Sequence, residues 1–319
     1  MQFRLLSMIL FASAFSFLGC GQLEEPLRVG ANVWPGYEPM FLAGSLGYYQ
    51  DSPLELISFS SAAEVIRAYQ NGLIDVAAVT ADEALIVAES QPQCHRIVLV
   101  CDSSRGADVL LAKPEFESIR QLKGRRVGLE STALGAYMLA RVLERGGLAA
   151  EDVITVAVPL PKHASAFTSG QVDAVITFEP NRSRILAAGA RELFDSSQIP
   201  GEIVDLILTR RNLTDSQNRT LTVFVSGWFR ALAYLKENPY DAAARVAARE
   251  AVTPQQFLDS LQGLELTDLP GNLRLLGKPP DNLEITLGKL SENMLKNKLL
   301  SRPTELPLLD DSVIRTANP

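Results

Sequence analysis

Polar and apolar positions change rhythm several times along this chain. From Leu5 to Leu18 only apolar residues and serine occur. From Leu27 onward, short apolar runs alternate with stretches in which apolar residues return every three or four positions. The first pattern belongs to buried strands, the second to amphipathic helices. Leu27–Asn32 predicts a strand, 38–49 a helix ending near Gly47, and Leu54–Phe59 a strand. Ser61 predicts a helix cap, with Glu64 completing a capping box, and that helix runs through Asn71 to a stop at Gly72. Residues 75–80 are nearly all apolar, as in a strand buried on both faces. Asp82 and Glu83 open a helix at its positive end, and 96–101 is another buried strand. This order predicts an open parallel sheet with right-handed crossovers.

The rhythm restarts after Gly106. Strands are predicted at 108–112, 125–129, 153–158 and 173–177, with helices at 133–145, 163–169 and 181–188. One more apolar strand, 203–208, precedes helices at about 218–236, 239–251, 254–261 and 283–299. Pro239 and Pro254 suit a first helical turn, where the missing N–H does no harm. Two segments echo each other: Gly72-Leu73-Ile74-Asp75 leading to Thr80, and Gly170-Gln171-Val172-Asp173 leading to Thr177. Each ends a helix, turns at glycine and enters a buried strand. Thr80 and Thr177 then lie at carboxyl ends of parallel strands, the edge where open α/β sheets bind ligands. The same pattern is also that of an ordinary turn from helix to strand.

Composition narrows the function classes. The 319 residues are 47% hydrophobic and 21% charged, a globular mixture with the length of about two domains. The formal charge of −7, with no basic block, argues against nucleic-acid binding. Three cysteines and two histidines are too few for a zinc ribbon or a disulfide scaffold, so no metal or cofactor is expected. Cys94 and Cys101 lie seven residues apart on one extended segment, roughly 23 Å, too far to pair. His95 and His163 read as surface or capping residues, and Trp228 as core.

The run from Leu5 to Leu18 would rise roughly 21 Å as a helix, short of a bilayer core of about 30 Å. It fits the apolar region of a signal peptide. It ends in Phe17-Leu18-Gly19-Cys20, which resembles the lipobox of bacterial lipoproteins, though Phe17 replaces the usual leucine. The resemblance implies a signal peptide at 1–19, lipidation at Cys20 and a linker at 20–26. The other reading is a plain signal peptide with an incidental cysteine.

Asn32-Val33-Trp34-Pro35-Gly36-Tyr37-Glu38-Pro39, followed by Phe41-Leu42-Ala43 and Gly47-Tyr48, resembles the opening of periplasmic solute-binding proteins of ABC transporters. The group is that of nitrate, sulfonate, taurine and thiamine-pyrimidine precursors. Leu122-Lys123-Gly124 with Arg126-Val127-Gly128, and Gly170 to Val175 with Phe178-Glu179-Pro180, are similar to its later blocks. The resemblance runs from about Arg28 to Leu208. It implies a type II periplasmic-binding fold, two α/β lobes with a cleft and two crossing hinge strands. Lobe one would comprise 27–107 and 204–319, and lobe two 108–203. It implies a monomer that delivers a small solute to an inner-membrane permease, held in the periplasm or cell envelope by a lipid anchor. A sensory subunit docking a receptor is the alternative. Pyrimidine-precursor synthases share the fold but carry a cysteine cluster that this chain lacks, so an enzyme is not expected.

Candidate cleft residues follow from strand ends. Trp34 and Tyr37 flank a Pro-Gly turn and either face the solute or pack as local core. Thr80 offers a hydroxyl or caps the next helix. Asp102 and Ser103 follow a strand, where a carboxylate binds an amine or holds turn amides. Ser131, Thr132 and Ala133 precede a helix whose free N–H groups suit an anion or are simply capped. The resemblance, whose members carry an aromatic-Glu-Pro at this position, implies that Phe178 is a stacking wall and Glu179 a polar contact or a latch between lobes. Asp102, Glu130 and Glu179 bias the cleft towards acid. That favours a neutral, zwitterionic or cationic solute with a ring or amine over a simple anion.

Overall fold

The computed structural model describes residues 25–317. The expected signal peptide at 1–19 and the lipidation site Cys20 lie outside the described residues. In chain order the first part contains β1 (Leu27–Asn32), α1 (Glu38–Ser45), β2 (Leu54–Phe59), α2 (Ala62–Gln70), β3 (Val76–Thr80), α3 (Ala81–Ser90) and β4 (His95–Ser104). The middle contains β5 (Val109–Ala112), β6 (Arg126–Leu129), α4 (Ala133–Gly146), β7 (Ile154–Ala157), α5 (His163–Thr168), β8 (Ala174–Thr177), α6 (Asn181–Ala187) and β9 (Arg191–Asp195). After β10 (Val204–Arg210) come α7 (Asp215–Glu237), α8 (Pro239–Val246), α9 (Pro254–Ser260), β11 (Leu264–Leu266), α10 (Leu269–Leu275), α11 (Leu283–Lys296), β12 (Leu308–Leu309) and α12 (Ser312–Thr316).

The strands form two sheets, β11-β4-β10-β3-β1-β2 with β12 beside β4, and β7-β6-β8-β5-β9. Pairing of β1 with β2 and β3 is parallel, as the alternation of strand and helix requires. The expected all-parallel sheet is corrected at β10 and at the short edge strand β11, which is antiparallel to β4. β10 lies between β3 and β4 and is antiparallel to both. The cause is connectivity: the chain leaves the first sheet at the end of β4 and re-enters beside that end, so it must run back the other way. β5 stands in the same relation to the second sheet, lying between β8 and β9 and antiparallel to both.

Two passages join the sheets, 104–108 outward and 195–204 in return. Ser196 ties them together. Its hydroxyl lies 2.7 Å from that of Ser104 and accepts from the Gly106 amide at 2.6 Å. Its own amide donates to the Asp108 carbonyl at 2.9 Å.

The echo between the two halves has a physical basis. Asp75 accepts from the Arg28 amide, Nε and Nη2, and Asp173 accepts from the Arg126 amide, Nε and Nη2. In each lobe a carboxylate at the foot of one strand clamps the arginine that opens its neighbour. Gly72 and Gly170 turn the chain into these strands at φ of +73° and +74°, a conformation that costs glycine little. Ser61 caps α2 as expected, accepting from the Glu64 amide, but Glu64 reaches back to Ser60 instead of Ser61. Trp228 is fully buried in the core under α7.

Candidate functional site

The carboxyl ends of β1, β3, β6 and β8 converge on a small cavity of about 30 Å³ between the two sheets. The first lobe contributes Asn32, Trp34, Tyr37, Thr80, Glu83 and Asp205 to its wall. The second contributes Glu130, Thr132, Leu134, Gly135, His163, Thr177 and Phe178, and Asp108 sits at the crossing. The lobes touch across it. The rings of Trp34 and Phe178 meet edge to face with centroids 5.1 Å apart. The Ala63 amide donates to Glu130 Oε1 at 3.2 Å, and Lys296 pairs with Glu144 at 3.2 Å.

The aromatic turn is held from behind. Trp34 Nε1 donates to Asp102 Oδ2 at 3.2 Å, and Tyr37 Oη donates to Asp205 Oδ1 at 2.5 Å. A Cβ on Gly36 would stand 1.8 Å from Asp102 Oδ2, so only glycine lets the turn approach that carboxyl. Thr132 caps α4 by accepting from the Gly135 amide. A Cβ on Gly135 would meet the Glu130 carbonyl at 2.4 Å.

The electrostatics are one-sided. Glu83, Asp108, Glu130 and Asp205 line the cavity, and among the described residues no lysine or arginine does. Burial, reinforced by Asp82, pushes Glu83 up to about 8, and burial pushes Asp108 up to about 7. Burial and then the neighbouring Asp102 raise Asp205 well above the usual carboxylate range, and burial raises Glu130. His163 is lowered to about 4 by burial and stays neutral. Its Nε2 faces the Val158 carbonyl and its Nδ1 the Thr177 hydroxyl, each at 3.0 Å.

Of the residues singled out from sequence, Trp34, Tyr37, Thr80, Thr132 and Phe178 lie in the cavity wall. Asp102 stands behind Trp34, fully buried, with burial raising it to about 8. Ser103 lies in a separate surface hollow beside β11. Ser131 is exposed at a neighbouring hollow near the mouth. Ala133 is half-buried and packs against the first lobe's core. Glu179 turns away from the cavity, accepting from the Ser183 amide and hydroxyl and pairing with Arg182. The structure corrects the reading of both histidines, since His95 and His163 are buried. Glu83, Asp108 and Asp205 were not singled out as cavity residues. Asp205, a carboxylate inside the apolar run of β10, was the one legible signal.

The model of the NMT1-like family matches residues 22–251. The chain belongs to the NMT1-like family. A Brucella abortus (strain 2308) relative described as a binding protein is 24% identical over 173 residues, 52% of this chain and 53% of that one. The match thus spans about half the length of that curated relative. Among solved structures, this NMT1-like chain resembles the alkanesulfonate-binding protein SsuA from Xanthomonas axonopodis pv. citri, bound to MOPS. The TM-score is 0.71 at 16% identity, covering 88% of this chain and 97% of that one. It also resembles the desulfurization enzyme DszB, with TM-score 0.65, 16% identity and coverage of 91% and 98%. These likenesses show the two-lobed periplasmic-binding fold, as the sequence blocks implied. Among the described residues no cluster of His, Cys, Asp and Glu is arranged to hold a metal ion. No helix among them is long and apolar enough to cross a membrane.

Proposed function

We propose that this NMT1-like chain captures a small organic solute between its lobes and presents it to an ABC permease. On this reading residues 1–19 direct export and Cys20 carries a lipid anchor at the cell envelope. The observation that carries it is a cavity at facing strand ends, walled by both lobes, with two tied passages between them. Such an arrangement closes around a ligand by hinge motion. The Brucella and Xanthomonas proteins, described as binding proteins, lend support. DszB shares the fold, so fold alone does not decide between binding and catalysis. Against an enzyme, neither Cys94 nor Cys101 lines the cavity, and both ring nitrogens of His163 are engaged within the protein.

Native mass spectrometry of the protein purified from its own cells tests the reading. A retained small molecule, lost on mild denaturation, is the expected result. If no small-molecule extract of those cells raises the melting temperature, solute capture is wrong. The intact mass checks the anchor, because an unmodified N-terminus excludes lipidation at Cys20.

A further inference from the structure

Granted that the cavity holds a solute, as proposed above, its walls select a class of solute. Three buried carboxyl oxygens there have no hydrogen-bond partner: Glu83 Oε1, Asp108 Oδ2 and Asp205 Oδ2. Their residues are 1%, 3% and 3% exposed. Each belongs to a group whose other oxygen or neighbouring backbone is already fixed. Glu83 Oε2 accepts from the Thr80 amide at 3.1 Å, and Asp205 Oδ1 from Tyr37. The residues that carry these free oxygens all belong to the wall of one cavity, together with a fourth carboxyl, Glu130.

A buried acceptor without a donor is costly, and a buried charge without a partner more so. The unpartnered Thr80 hydroxyl in the wall can donate to one of these oxygens, but it supplies no charge. Among the described residues no lysine or arginine lines the wall, and His163 is neutral with both nitrogens spent. An anion would find no lysine or arginine among the described residues of the wall to pair with. A metal ion finds no suitable ligand cluster among the described residues. A neutral donor would complete hydrogen bonds but leave the protons on the carboxyls in place. An organic cation completes both the bonding and the charge. The aromatic walls agree, because Trp34, Tyr37 and Phe178 offer flat apolar surface and rings that attract a cation.

We propose that the cavity takes a small organic cation, a protonated amine or amidine on a flat apolar body. Its N–H groups donate to Asp205, Glu83 and Asp108, and its body lies against Trp34 and Phe178. The requirement is for fixed positive charge with donors, the reverse of a site for a bare oxyanion.

Isothermal titration of the full exported chain tests this with matched probes. Benzylamine and benzamidine are the cations, benzyl alcohol and benzamide their neutral counterparts, and benzenesulfonate and taurine the sulfonates. At least one cation should bind roughly a hundredfold more tightly than its neutral counterpart. Asp205→Asn and Glu83→Gln should each weaken it about tenfold or more, since hydrogen bonds to charged groups are worth at least that factor. Cation binding should also release protons from the carboxyls, so that the measured heat changes with the buffer's own ionisation heat. The groups facing the cation are Glu83, Asp108, Glu130, Asp205 and neutral His163, with Asp82 and Asp102 behind. If either variant unfolds, Asp108→Asn takes its place. Tighter binding of a sulfonate or a neutral probe overturns the cation class and leaves solute capture standing. Failure of both cations to bind at millimolar concentration also overturns it. Solute capture itself falls only on the cell-extract experiment above.

Discussion

Removing the Phe178 ring should open the molecule. Trp34 comes from one lobe and Phe178 from the other, and their rings meet at 90° with centroids 5.1 Å apart. An edge-to-face pair contributes about 0.5–1.5 kcal/mol beyond the area it buries. Phe178→Ala removes that contact from the closed form alone, because in an open form the rings are apart. Counting some lost burial, the open-closed equilibrium should shift by about 1–2 kcal/mol, or roughly 5–30-fold. The apparent affinity for any solute bound only in the closed form should fall by up to the same factor. The assay is built into the chain. It has two tryptophans, of which Trp228 is fully buried and Trp34 is 4% exposed. The Trp228 indole N–H is buried without a partner, so Trp228→Phe removes an unsatisfied donor and leaves Trp34 as sole reporter. In that background Phe178→Ala should red-shift the emission and make it more quenchable by acrylamide. Solution scattering should give a larger radius of gyration. Equal quenching and equal scattering in the two proteins would refute the idea that this contact helps hold the lobes together.

Two other expectations concern stability. Asn272 is fully buried and pairs with β4 as a strand would, accepting from the Val100 amide at 2.7 Å and donating to the Val100 carbonyl at 2.9 Å. Asn272→Ala strands both groups and should cost about 2–5 kcal/mol in urea unfolding; a loss under about 1 kcal/mol would contradict this pairing. The empty protein should also lose stability as pH rises from about 6 to 9. Glu83, Asp108 and Asp102 have folded pKa values raised to about 8, 7 and 8, and Glu250 to about 9. Their contribution is complete below the unfolded values near 4 and is lost as pH climbs through the folded ones. Asp173, held low by Arg126, acts oppositely and loses its contribution only in acid. Calorimetry across this range checks the sign, and a melting temperature that rises towards pH 9 would refute it.

The parts of the fold legible in sequence are those where one local rule acts. Strands β1 and β2 are bounded by clear apolar runs, and Pro239 and Pro254 open α8 and α9 as expected. Helix α1 stops at Ser45, short of Tyr49, because the chain turns at Gly47 with φ of +76°. β9, Arg191-Glu192-Leu193-Phe194-Asp195, is a polar edge strand with little apolar pattern to read. β11 has only three residues, and α10 is one short turn-rich segment. The site divided along the same line. Trp34, next to Pro35, and Phe178, two residues before Pro180, follow strand ends, where sequence order alone places them. Glu83 reads from sequence as a residue opening a helix, and its Oε2 does accept from the Thr80 amide; its place in the cavity wall depends on β10, which brings Asp205 into the same wall. That neighbour comes from 122 positions away, and no local pattern carries it.

The stitch at Ser196 has a mechanical consequence. Two separate strands between rigid bodies would let those bodies slide, twist and tilt independently. Fastened to Ser104 and Gly106 by one hydroxyl, the outgoing and returning passages behave as a single leaf spring, stiff in shear and compliant in one rotation. On the proposed reading, occupancy of the interior would set one coordinate, the angle between the outer faces. A protein docked across both faces can read that coordinate without ever touching what is inside.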